Sequence, residues 1–163
     1  MRVRSLAVAL LLAGIAATDP VRAATPITHP VFVDVYEYFT SDAQFEAWDA
    51  VTAQLVRNFD DICGDTFCEG DYSNIQSLRY RCSVEQATGR IASCVWIFAG
   101  SYEEIAAGNG RIDVTSQVWT CPTPLARGTT IDVLLDALAG DSPLRATLPG
   151  TTTTIYDGLA ECI

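Results

Sequence analysis

Apolar residues recur along the chain with two periods, and the switch between them outlines the fold. From residue 42 to 59 the spacing is helical. Phe45, Trp48, Thr52, Leu55, Val56 and Phe59 form one stripe, while Asp42, Glu46, Asp49, Ala53, Arg57 and Asp60 fall away from it. Recurrence at i, i+3, i+4 and i+7 marks one face of an amphipathic helix. Ser41 is a good N-cap, and Gln44 three residues on completes a capping-box pattern. The spacing predicts a helix over Asp42–Phe59 whose aromatic stripe belongs to the core.

From residue 76 the period is two. Leu78, Tyr80, Cys82 and Val84 alternate on one face of a first strand, and Ala92, Cys94, Trp96 and Phe98 on one face of a second. The three residues Ala87-Thr88-Gly89 make the loop between them, with Gly89 where a left-handed residue is wanted. This hairpin, Gln76–Ala99, pairs Val84 with Ala92, Cys82 with Cys94, Tyr80 with Trp96, and Leu78 with Phe98. Two cysteines opposite each other on one face are placed for a disulfide. The second strand is also apolar on its other face, at Ile91, Val95 and Ile97. The first is polar there, at Ser77, Arg79, Arg81 and Ser83. The second strand is therefore expected to be central and the first to be a charged edge.

Ser101 and Glu104 repeat the capping-box spacing and predict one helical turn, closed by Gly108. Asn109-Gly110 signals a turn. Ile112–Cys121 reads as a third strand, with Ile112, Val114 and Val118 on one face and Trp119 on the other. Thr129 or Thr130 opens a helix carrying Ile131, Leu134, Leu135 and Leu138, and a last short helix lies near Ile155–Glu161. Val31–Phe39 fits both periods. Its valines and aromatics favour a strand, but Phe32, Val35, Tyr36 and Phe39 match the helix template, and a helix keeps Asp34 and Glu37 on one side. A short helix is the expectation. The fold class is α+β: a three-stranded antiparallel meander packed by an amphipathic helix, with C-terminal helices and three disulfides.

The first residues stand apart from this pattern. Arg2 and Arg4 precede an uncharged apolar run, Leu6–Ala17, followed by Pro20 and by Val21-Arg22-Ala23. That is the layout of a secretory signal peptide, and the run is too short to span a bilayer. Residues 1–23 are expected to be removed, leaving 24–163 as a single domain, secreted or periplasmic, with no membrane anchor. Ala24–Pro30 is expected to be an arm. Cleavage takes Arg2, Arg4, Arg22 and Asp19, so the mature chain keeps 19 acids and 7 arginines, a formal charge of −12. Such a field opposes nucleic acid and favours a basic protein partner. Six cysteines in an exported chain with no CxxC pair imply disulfides rather than a metal or redox site. Cys63 pairs with Cys68 and Cys82 with Cys94, which leaves Cys121 to Cys162.

Little in the chain points to catalysis. His29 is the only histidine and lies in the arm. No nucleophile elbow, zinc-protease, phosphate-loop or dinucleotide motif occurs. No cofactor and no catalytic residue is assigned. The chemically dense stretch is Asp60–Asp71, where the pattern turns from helix to strand. It holds Cys63, Cys68 and five carboxylates: Asp60, Asp61, Asp65, Glu69 and Asp71. Closed by a Cys63–Cys68 bridge, it makes a rigid loop, with Asp65, Thr66, Phe67, Glu69, Asp71 and Tyr72 as candidate binding residues. With its ring outward, Phe67 is an aromatic anchor; with its ring inward, the loop is a clamp from helix to strand. The expected function is an exported acidic binding protein, an inhibitor or immunity-type protein for a basic partner. The alternatives are a carboxylate-dependent hydrolase, which needs converging acids in a cleft, and a calcium-binding domain, whose loop spacing departs from an EF-hand.

Overall fold

The computed structural model describes residues 29–163. The expected signal peptide and most of the expected arm lie outside them. Four strands and four helices follow in the order β1 (Phe32–Asp34), α1 (Val35–Tyr38), α2 (Asp42–Cys63), β2 (Gln76–Glu85), β3 (Ile91–Ala106), β4 (Arg111–Pro122), α3 (Ile131–Leu138) and α4 (Ile155–Ala160), with a 3₁₀ turn at Pro143–Arg145. The class is α+β. The sheet is antiparallel and has four strands rather than three, in the order β1-β2-β3-β4. The added strand comes from the ambiguous segment. Phe32, Val33 and Asp34 pair with Glu85, Val84 and Ser83. Asp34 then caps a single helical turn, its carboxylate accepting from the Tyr36 amide at 3.0 Å. The segment thus satisfies both of its periods in turn, strand first and helix second.

Helix α2 starts where the pattern places it, with the Ser41 hydroxyl accepting from the Gln44 amide. It continues one turn past Phe59 to Cys63. Its buried line is Trp48, Val51, Leu55, Phe59 and Cys63, while Val56 is 38% exposed, so the inward stripe is rotated slightly from the expected one. Trp48 stacks on Tyr80 at 5.6 Å between ring centres, and Phe59 meets Phe98 at 4.6 Å and Trp96 at 5.9 Å. These rings join the helix to one face of β2 and β3. Leu134, Leu138, Leu144, Leu148 and Leu159 complete the same core from the C-terminal segments. Burial pushes the Tyr80 hydroxyl up to about 12, and Thr123 lies within hydrogen-bond distance of it at 3.0 Å.

The hairpin register holds at its centre. Cys82 faces Cys94 and Tyr80 faces Trp96, but Val84 pairs with Ile91 rather than Ala92, and Phe98 pairs with Ser77 rather than Leu78. Irregularities beside Ser83 and Arg79 shift both ends by one residue, which turns Leu78 to solvent. The second strand is central, as expected. The first is an edge only over its N-terminal part, because β1 covers Ser83–Glu85. Gly89 takes a left-handed φ of 70°, and a side chain there would collide with the Tyr38 hydroxyl.

The largest departure is at Ser101–Ala106. No helical turn forms; β3 runs on to Ala106, paired residue for residue with β4 from Val95↔Pro122 to Ala106↔Arg111. The capping-box spacing at Ser101 and Glu104 is a local preference, and a continuous ladder of cross-strand pairs overrides it. The turn at Asn109-Gly110 closes this long ribbon, with Gly110 at φ 70°. The three disulfides are Cys63–Cys68, Cys82–Cys94 and Cys121–Cys162. Thr154 and Asp157 form a reciprocal capping box at the start of α4. Among the described residues, no helix is long and apolar enough to cross a membrane.

Candidate functional site

The acidic stretch begins on the last turn of α2. Asp60 and Asp61 lie in the last turn of the helix, at the negative end of its dipole, and that turn holds no basic residue. Carboxylates there oppose the helix dipole, at about 0.3–1 kcal/mol each when exposed. Neither acid forms an ion pair among the described residues, and such departures from local preference concentrate at functional sites.

The chain then turns tightly. The Cys63 carbonyl accepts from the Thr66 amide at 3.2 Å and the Cys68 amide at 2.6 Å, and the Ile62 carbonyl accepts from the Asp65 amide at 3.2 Å. The Thr66 hydroxyl donates to the Ile62 carbonyl at 2.5 Å. With the Cys63–Cys68 bridge, these bonds close the loop covalently and through the backbone. Gly70 at φ 103° lets the chain leave toward β2.

Two aromatic residues fasten the loop to the body. Phe67, expected as an outward anchor or an inward clamp, is half-buried. Its ring lies parallel to Phe59, 5.9 Å away, and against Tyr156 at 5.7 Å, while the Arg145 guanidinium sits 4.2 Å above the Tyr156 ring. Tyr72 is also half-buried and meets Trp119 edge-on at 5.3 Å. Asn74 adds a polar fastening. Its amide donates to the Ser101 hydroxyl at 2.8 Å, and its carbonyl accepts from the Ser101 backbone at 2.7 Å. Gly100 permits this approach, since Ile75 and Trp119 would crowd any side chain there.

The remaining site residues point away from the body. Asp65, Thr66, Glu69 and Asp71 are exposed, as are Asp60 and Asp61. One small cleft touches this stretch, lined by Asn58, Asp61, Ile62, Ser142, Leu144 and Arg145; Asp65, Glu69 and Asp71 do not line it, and larger clefts lie elsewhere. One is lined by Asp34, Glu37, Arg81 and Val95, and another by Tyr36, Asp49, Val56 and Arg79. Among the described residues, no group of three His, Cys, Asp or Glu side chains is gathered to hold a metal ion. Glu103 and Glu104, adjacent on β3, point to opposite faces of the ribbon. The arrangement presents negative charge on a fixed backbone.

Asn74, Tyr156 and the distal ribbon escape the sequence reading. The ribbon had a readable signal. A ten-residue strand pattern after an Asn-Gly turn needs a partner strand of similar length before it. Asn74 and Tyr156 carry no such signal, because their contacts join segments far apart in sequence. In comparison with known proteins, the chain matches no family model, no curated protein and no solved structure.

Proposed function

We propose that this is an exported binding protein whose disulfide-closed loop, Asp65–Tyr72, docks a basic protein partner in the manner of an inhibitor or immunity-type protein. One observation carries the reading. The loop is held by the Cys63–Cys68 bridge, by Phe67 on Phe59 and Tyr156, and by Tyr72 on Trp119, while Asp65, Glu69 and Asp71 all face solvent. A pre-ordered loop loses little entropy on contact. Exposed carboxylates steer a cationic partner and speed encounter. Phe67 and Tyr72 serve by fixing the loop from beneath.

Export is supported by the leader pattern of residues 1–23 together with three disulfides, which persist in oxidising compartments. The formal charge of −12 on the chain after residue 23 strengthens the field around the loop. The test is affinity capture from the native secretome or periplasm with two baits, the oxidised protein and its Asp65→Asn/Glu69→Gln/Asp71→Asn variant. A basic protein retained by the first and lost from the second is the expected result. Equal retention by both baits removes the loop from the binding surface.

A further inference from the structure

The helices all pack on one face of the sheet, where Tyr80, Cys82, Cys94, Trp96 and Phe98 are buried. No helix covers the centre of the other face among the described residues; Asn74 reaches its rim at Ser101, and the Asp34–Arg81 pair flanks Val95. Alternation along β3 and the register with β4 fix its membership: Val95, Ile97, Ala99, Ser101, Glu103 and Ile105 on β3, opposite Pro122, Thr120, Val118, Ser116, Val114 and Ile112 on β4. In a chain of net charge −10, these two strands show a single carboxylate on this face, Glu103. Ile105, Ile112, Val114 and Val118 are 71%, 61%, 60% and 60% exposed. Together they leave on the order of 450 Å² of apolar side chain in water, already as much as the largest patch of a typical monomer.

From this face we infer that the protein forms a symmetric dimer by packing β3 and β4 against the same face of a second copy. The occupant follows from the way the two ends of the face complement each other. Sheets that pack face to face keep their strands within about 30° of alignment. A twofold axis crossing the strands at the Gly100–Gln117 pair lays each strand antiparallel over its own copy. Ile105 then falls over Val95 of the second copy, Ile112 over Pro122, and Val114 over Thr120. The ribbon tip, which has no core of its own, thereby covers the apolar body of its partner. The charges match as well. Glu103 falls over Ile97 of the second copy, and Arg79 is paired beside Ile97 in the sheet. Arg79 has no hydrogen bond or ion pair among the described residues, whereas the neighbouring Arg81 is held by Asp34. Two Glu103–Arg79 contacts therefore form by symmetry at the rim.

The half-buried Val95 and Ile97 extend this patch, and the polar positions on the same face, Ser101, Glu103, Ser116 and Thr120, widen the footprint further; a standard stable interface buries ~800 Å² per partner. The acidic loop lies on the helix side of the sheet and stays free, so the dimer carries two copies of it.

Sedimentation velocity on the secreted, oxidised chain tests this. The expected result is twice the chain mass. Val118→Lys, on an exposed position, should give a folded monomer whose melting temperature no longer depends on protein concentration, whereas that of the wild type does. Arg79→Glu and Glu103→Arg should each weaken the dimer by about tenfold or more, and the two together should restore it. A wild-type chain that stays monomeric at about 100 μM, or a dimer that survives Val118→Lys, overturns the inference. So does a dimer indifferent to the Arg79 and Glu103 changes, which indicates pairing along the β4 edge instead.

Discussion

Replacing Phe67 with alanine separates the two roles an aromatic residue can play in this loop. The ring lies between Phe59, which is fully buried, and Tyr156, and it is itself only half-buried. Complete burial of a phenylalanine is worth about 3–5 kcal/mol against alanine. With part of the ring already in water, about half of that applies, so the expected cost is ~2 kcal/mol, including the two ring contacts. For a domain of this size the unfolding entropy converts that loss to a fall of about 7 °C in melting temperature. The assay is thermal and urea unfolding of the oxidised protein, with the slope of the urea transition unchanged, because the surface exposed on unfolding barely differs. A melting temperature within about 1 °C of wild type would refute the assignment, since a ring fastened to the core cannot be removed without cost. Loss of partner capture at unchanged stability would restore Phe67 as a direct contact.

Removing the Cys121–Cys162 bridge by a double alanine change should cost more than removing Cys63–Cys68. The first closes a separation of 41 residues and the second of only 5, and chain-entropy reasoning gives about 4 against about 2 kcal/mol; urea titration of the two variants would reverse this order if the short bridge were the chief support of the fold. Asp34 makes a pH-dependent contribution. Burial pushes its carboxyl up, but the Tyr36 amide and the Arg81 guanidinium outweigh this and hold it below its ordinary value. A carboxylate depressed in the folded state stabilises above its unfolded pKa, and that contribution fades as pH falls through the folded one. The stability gap between wild type and Asp34→Asn should therefore be constant above about pH 5 and close at lower pH. A gap that widens on acidification would contradict the assignment.

How much of this was legible in the sequence depends on the reach of each interaction. Helix α2 was readable because its stripe repeats over several turns. The Cys82–Cys94 bridge was readable because hairpin register is set by a short loop with its Gly89 turn. Interactions at longer range were not. The capping-box spacing at Ser101–Glu104 is a true local preference, and it loses to a ladder whose other strand lies beyond the next turn. The shift at Leu78 comes from an irregularity in the strand itself, which alternation cannot show. In the candidate site, the carboxylates and the cysteine bridge were visible as residue types. The orientation of Phe67 was not, because Tyr156, one of the rings it packs on, is 89 positions away in the chain.

The proposed docking requires the loop carboxylates to act as a fixed, solvent-facing charge that guides a basic partner. The association rate of the captured partner, followed from about 20 to about 300 mM salt, measures that directly, since screening removes steering between exposed charges. For the wild-type protein the rate should fall steeply over this range, and for the Asp65→Asn/Glu69→Gln/Asp71→Asn variant it should start lower and stay nearly flat. Identical salt dependence in the two proteins would contradict the claim.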